Sequence, residues 1–315
     1  MEKLTQQIRE TAKKLLAEKK VDLVVGFAQG SLPLRSTPYF ARTPEQAENL
    51  IWSSTCENNL ANYLRKRGEK VAVIAKGCDV RAIVGLIKEG QIVKENLYII
   101  GVPCAGMIDR KQINAAVEGK EILAASDNGS EILLKGKDFE KTVAKQDVMF
   151  GSCKTCQYNN PVIFDELLGE KVAAREANYA DIEAFEALSD EERRAFIAKE
   201  MSKCIRCYAC RQACPMCYCS ECFVDCNTPA WIGKSAKSID DNALFQAVRV
   251  FHLAGRCVDC GACERACPMG IKLSLLTRKM VKDVKELFGA EAGVNLEDPP
   301  ALNTFKFEDK EDFLL

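Results

Sequence analysis

CIRCYACRQACP at residues 204–215 and CVDCGACERACP at residues 257–268 are one pattern, C-x2-C-x2-C-x3-C-P, written twice in the same chain. Three thiols at successive third positions wrap one corner of a cubane. The fourth, just before a proline, has left that turn. The spacing is that of thiolates holding 4Fe-4S clusters. A doubled run places two clusters side by side, a path for single electrons.

The rest of the composition narrows the setting. The chain has 315 residues, 47% of them hydrophobic and 28% charged, an ordinary globular balance long enough for two domains. The formal net charge of −1 gives no reason to expect nucleic acid or an anionic membrane as partner. The opening, MEKLTQQIRETAKKLL, is amphipathic and charged rather than a secretory signal. No apolar run reaches the roughly 18–20 residues that span a bilayer. These features predict a soluble, cytoplasmic protein. There, 17 cysteines are not a disulfide framework. The single histidine, His252, sits among Phe251 and Leu253 and reads as a packed helix residue. One histidine leaves no basis for Ser-His-Asp or Cys-His hydrolysis.

Hydrophobic periodicity predicts an α/β first part and a mainly helical second part. Val21–Phe27, Val71–Ala75 and Leu97–Val102 read as strands, Asn58–Lys66 and Val80–Lys88 as helices. The strand, helix and strand from Val71 to Val102 form a βαβ unit with a parallel pair. Glu121–Lys135 reads as a hairpin turning at Asp127-Asn128-Gly129. Ser189 with Glu192 is a capping box opening a helix toward Lys203. Asn242–Ala254, closed by Gly255, and the stretch after Ile271 are further helices. The expected organisation is an α/β domain over 1–170, a helical linker over 171–200, the cluster domain over 201–290 and a tail over 291–315. The tail is acidic, with Phe305, Phe307 and Phe313, and reads as a disordered end or a docking strap.

In two-cluster ferredoxins the fourth cysteine of each run ligates the other cluster. Carried over, one cluster takes Cys204, Cys207, Cys210 and Cys267. The other takes Cys257, Cys260, Cys263 and Cys214. A third group, Cys217, Cys219, Cys222 and Cys226, lies between the runs. It is read as holding another cluster, with zinc, or thiols that complete other sites, as the alternatives. A fourth is dispersed: Cys78 and Cys104 follow two adjacent parallel strands, and Cys153 and Cys156 form a C-x2-C pair. Ligands bind at the carboxyl edge of open α/β sheets, so these four are candidate ligands of one more cluster. The opposing reading makes Cys78 and Cys104 small buried residues. Cys56 is left over as a core residue.

No G-x-G-x-x-G follows a strand, and there is no P-loop. KGCDVRAIVGLIKEGQIVKENLYIIGVPCAGMID (Lys76–Asp109), with GSCKTC and CIRCYACRQACPMCYC, resembles the beta subunits of coenzyme F-420 (deazaflavin) hydrogenases and formate dehydrogenases. The helical half, with Asn242–Ala254 leading into the second run, resembles the α-helical ferredoxins of fumarate and heterodisulfide reductases. The resemblance implies an α/β N-terminal domain of the deazaflavin dehydrogenase beta-subunit type plus a mainly α dicluster ferredoxin domain. It implies an iron-sulfur electron-transfer subunit of a multi-subunit redox complex, with two 4Fe-4S clusters and up to four. FAD is a further candidate, with Lys76, Gly77 and Arg81 near it; the plainer reading of Arg81 is a solvated helix residue. Two rival functions remain: an FAD-containing oxidoreductase taking hydride from a deazaflavin or nicotinamide, and an adaptor with zinc in the extra cysteine sites.

Overall fold

The computed structural model describes residues 1–301; the tail phenylalanines Phe305, Phe307 and Phe313 lie outside the described residues. Helix α1 (Glu2–Ala17) leads into β1 (Leu23–Gln29), which turns back as β2 (Ser36–Ala41). The chain then runs β3 (Val71–Ala75), α2 (Gly77–Lys88) and β4 (Leu97–Gly101), the expected βαβ unit. β3 pairs in parallel with β1 on one side and with β4 on the other, Val73 opposite Val25 and Ile99. All five residues of β3 are buried, as a strand covered on both faces requires. A short strand introduced below completes the sheet beside β4.

Asn58–Lys66 is not the expected helix. Only a single 3-10 turn, Leu60–Tyr63, forms there. The Asn59 side chain caps it by accepting from the Ala61 amide at 3.1 Å, and Lys66 turns left-handed at φ 57°. The chain next forms α3 (Arg110–Ala116), then β5 (Ala124–Asp127) and β6 (Glu131–Lys135), the expected hairpin. A third strand, β7 (Glu140–Ala144), adds to β6 and was not foreseen: EKTVA is too polar to stand out. A short helix, α4 (Gly151–Lys154), carries Cys153, and β8 (Glu166–Leu167) closes the large sheet in the order β2-β1-β3-β4-β8.

The second half is helical: α5 (Ala180–Glu186), α6 (Asp190–Ser202), α7 (Ala209–Ala213), α8 (Ile239–Phe251), α9 (Ala262–Arg265) and α10 (Leu273–Phe288). α6 opens on the expected capping box, Ser189 accepting from the Glu192 amide at 3.2 Å and Glu192 accepting from the Ser189 amide at 2.8 Å. α8 starts three residues before the expected Asn242 because Ser238 caps it, accepting from Asp241 at 3.1 Å. His252 is not packed inside that helix but stands exposed at its C-cap. Among the described residues no helix is long and apolar enough to cross a membrane.

The halves share one core. Met216, Leu253 and Val258 from the helical half belong to the same buried cluster as the β1, β3 and α2 side chains. Polar ties cross the seam as well. The Arg256 guanidinium donates to both Glu89 carboxylate oxygens, at 2.6 and 2.7 Å, and the Tyr218 hydroxyl donates to one of them at 2.6 Å.

Candidate metal centres

The two cysteine runs fold alike down to the backbone. In the first, Arg206 and Tyr208 flank Cys207 with φ of 46° and 59°; in the second, Asp259 and Gly261 flank Cys260 with φ of 53° and 67°. Left-handed residues on either side of the second cysteine curl each loop into a concave cradle, a geometry suited to an anionic group such as a thiolate-ligated cluster. Each cradle leads into a short helix, α7 or α9, and these two helices lie against each other.

Cys204, Cys207, Cys210 and Cys267 line one cavity, walled by Ile205, Phe245, Met269, Ile271 and Leu273. Three thiols of the first run thus meet the last thiol of the second. We refer to this as the outer site, because Cys207 is exposed there. The Gln246 amide donates to the Cys210 sulfur at 3.8 Å. Asn242, buried on α8, donates to the Cys204 carbonyl at 3.0 Å and the Met201 carbonyl at 3.3 Å, anchoring the loop's start. Four thiols, an apolar wall and a donor to sulfur fit a 4Fe-4S cluster.

Cys214, Cys257, Cys260 and Cys263 lie near enough to act on one another's charge and are the candidate middle site. The Cys257 thiol is raised by burial and then by Asp259, Cys260 and Cys263. Cys263 is pushed up to about 11 by burial, against the pull of Arg249. Cys214 is raised by its hydrogen bond to Cys217, by burial and by Cys260 and Cys263. The loop holding Cys257 and Cys260 is pinned by Arg278, which donates to Asp259 at 3.1 Å and to the Asn178 carbonyl at 2.6 Å.

Cys78, Cys104, Cys153 and Cys156 line a single cavity, and Cys260 is in its wall too. This is the inner site. Cys78 lies in the first turn of α2, just past β3, where the helix N-terminus favours a negative charge. Cys104 lies just past β4 and is zipped to the 159 loop: its amide donates to the Asn159 carbonyl at 2.8 Å, and the Asn159 side chain donates back at 2.9 Å. Burial pushes Cys104 up to about 12, and Cys78 well above its ordinary range. Such thiols hold their protons until a metal displaces them.

Two cations face the inner site, Lys76 buried and Arg265 half-buried. Lys76 is 2% exposed, donates to the Asn58 carbonyl at 2.9 Å and pairs with Asp79 at 2.9 Å. Burial works against its charge, but Asp79, Cys78 and Cys104 hold the proton on. Arg265 stacks on Phe150, with its centre 5.1 Å from the ring centroid, and donates to the Cys260 and Glu57 carbonyls at 2.5 and 2.8 Å.

The residues expected near FAD are otherwise engaged. Gly77 is pressed against the 158–160 segment: a Cβ there would stand 2.9 Å from the Asn160 carbonyl oxygen and nearer still to that of Tyr158. Lys76 and Gly77 are part of the inner cysteine cavity. Arg81 is neither solvated nor open to a cofactor. It is 6% exposed, lies over the Tyr158 ring, and donates to the Ala292 carbonyl through Nε and Nη2 and to that of Val258 through Nη1. It staples α2 to the helical half.

The third cysteine group divides. Cys217, Cys219 and Cys222 line a cavity of about 410 Å³ at the seam, with Arg65, Arg249 and Arg256. Cys226 is not in its wall; its thiol donates to the Cys222 carbonyl at 3.7 Å. Cys217 is lowered to about 6 by its hydrogen bond to Cys214, with Arg249 and Arg256 assisting against burial. Cys56 is fully buried in the core, as expected. Among the described residues no three Cys, His, Asp or Glu side chains close on the point of a single metal ion. Sequence reasoning missed Arg265, Arg249 and Gln246; the sign for the last two was the spacing of Asn242, Gln246 and Arg249, which puts three polar residues on one face of α8.

A family profile described as a 4Fe-4S dicluster domain matches residues 216–271, taking in the third cysteine group and the second run. The chain is 26% identical to the F420-dependent formate dehydrogenase subunit beta of Methanocaldococcus jannaschii, over 92% of both chains. It is also 26% identical to the F420-dependent formate dehydrogenase 1 subunit beta of Methanococcus maripaludis, over 92% of this chain and 91% of that one. A chain of the F420-reducing NiFe hydrogenase complex from Methanosarcina barkeri, solved as a xenon derivative, aligns with a TM-score of 0.36 and 15% identity. That alignment covers 50% of this chain and 58% of the other.

Proposed function

We propose that this chain belongs with the F420-dependent formate dehydrogenase beta subunits it resembles and is the electron-transfer subunit of a multi-subunit redox complex. The observation that carries the reading is the series of cysteine-lined sites through the molecule. Cys78, Cys104, Cys153 and Cys156 meet Cys260 at the inner site. Cys260 and Cys263 belong to the middle site, and Cys263 neighbours Cys210 of the outer site. In this reading each site takes a 4Fe-4S cluster, which supplies one-electron chemistry when bound. Cys217, Cys219 and Cys222, with or without Cys226, are candidate ligands of a further centre.

The protein's own part is to hold thiolates at fixed places, exclude water and offset their charge. The buried apolar side chains Phe245, Ile271 and Leu273 screen one side of the outer site from water, and Lys76 and Arg265 offset thiolate charge at the inner one. The relatives' names suggest the partner: a catalytic subunit of the formate dehydrogenase kind.

Iron and acid-labile sulfide per chain, on anaerobically purified protein, test the reading. About twelve to sixteen irons are expected, at four per cluster. About eight would remove the inner site from the path, and zinc in place of iron would overturn the reading.

A further inference from the structure

Helix α8 carries Asn242, Gln246 and Arg249 on one buried face, at 1%, 2% and 3% exposure. Asn242 anchors the first cysteine loop, and Gln246 donates to the Cys210 sulfur at 3.8 Å. Arg249 donates through Nε to the Gln246 side-chain oxygen at 3.0 Å. Its Nη1 and Nη2 are buried and have no hydrogen-bond partner among the described residues. A buried charge left in that state is costly, and interiors rarely tolerate one without a counter-charge. What surrounds this guanidinium is sulfur. The groups that bear on its charge are Cys263, Cys210, Cys214 and Cys217, and Cys217 shares a cavity wall with it. Cys210 is a candidate ligand of the outer site, Cys263 and Cys214 of the middle one.

We propose that Arg249 is the shared counter-charge of the outer and middle sites and raises the reduction potential of both clusters. The inference rests on reading the two runs as 4Fe-4S ligands. Four thiolates outweigh the positive charge of the core they bind, so the ligated cluster is anionic, and one-electron reduction adds a further negative charge. A fixed cation in a low-dielectric site stabilises the reduced form more than the oxidised one. Arg249 borders both sites, so one side chain moves both potentials in the same direction. The inner site faces Lys76 and Arg265 instead, and Arg249 is not in its wall. Arg249 acts through the thiolates and is a positioning residue rather than a catalytic one.

The test is a dithionite redox titration, followed by electron paramagnetic resonance, on the anaerobically purified full chain and its Arg249→Met and Arg249→Lys variants, with iron counted in each. In Arg249→Met the ratio of reduced to oxidised cluster at a fixed potential falls at least tenfold at the outer and middle sites. That is a shift of about 59 mV downward for one electron. Arg249→Lys keeps the charge and stays within about threefold of the parent. A cluster at the inner site keeps its potential in both variants. Unchanged potentials in an iron-replete Arg249→Met overturn the proposal, as does a Lys variant that falls as far as the Met variant, or a shift of equal size at the inner site. If Arg249→Met loses iron, Arg249→Gln replaces it. Iron loss in both neutral variants with retention in Lys supports the counter-charge; loss in all three overturns it. If the parent chain shows no 4Fe-4S signal, the ligand reading of the runs fails instead.

Discussion

Tyr208 and Gly261 hold the same place in the two runs and the same left-handed backbone, yet one is a large aromatic and the other has no side chain. At Tyr208 the strain is set against packing: its ring meets Phe245 edge-on at 5.4 Å and carries Arg211 at 4.7 Å. At Gly261 there is no room for such an exchange, since a Cβ would stand 2.7 Å from that of Ser152. Gly261→Ala therefore adds left-handed strain to a clash against α4, the helix that carries Cys153. Its stability should fall by about 1–3 kcal/mol, read as a lower melting temperature of the anaerobic protein. A melt unchanged from the parent would show that α4 gives way freely. The cysteine spacing of both runs was legible because a cluster fixes its ligands locally along the chain. The cradle's left-handed turns went unread, and of the two equivalent positions only Gly261 carries a residue that favours one.

At the scale of elements, local patterns carried through where the fold is built from neighbours in sequence. VAVIA became a buried strand and the Ser189 box a helix start, and Cys78 and Cys104 came out side by side past two paired strand ends. What failed to read was set by contacts between distant segments. Leu60 and Leu64 have helical spacing, but their burial comes from tertiary packing around a single turn. Arg81 looks like a surface residue of α2 until the loop at Ala292 and the second run at Val258 close over it. The same holds for Glu89, which ends α2 and meets Arg256 and Tyr218 from the other half. This bidentate pair is only partly exposed, so it should couple measurably. A double-mutant cycle of Glu89→Gln and Arg256→Gln, followed by denaturant unfolding, should return about 0.5–3 kcal/mol of interaction. A value near zero would mark the pair as incidental to the docking of the halves.

Across the whole molecule, shelter differs from site to site. Cys207 of the outer site is exposed, with Ile205 53% and Met269 43% exposed beside it. Cys104, Cys257 and Cys260 have no such exposed corner: they are half-buried and pack against the core that the halves share. Loss of iron to a chelator such as EDTA under mild oxidation should follow that gradient. The resonance signal of the outer site should decay first, and those of the middle and inner sites more slowly. Simultaneous decay would point to global unfolding as the route of loss. The shared core has another consequence. Met216, Leu253 and Val258 fill space under the sheet that no residue of the first half fills. Either half cut free would present a raw apolar face and lose its cysteine at the junction. The seam is therefore a keystone course rather than a joint between two finished walls: neither part is a spare that can be lifted out whole.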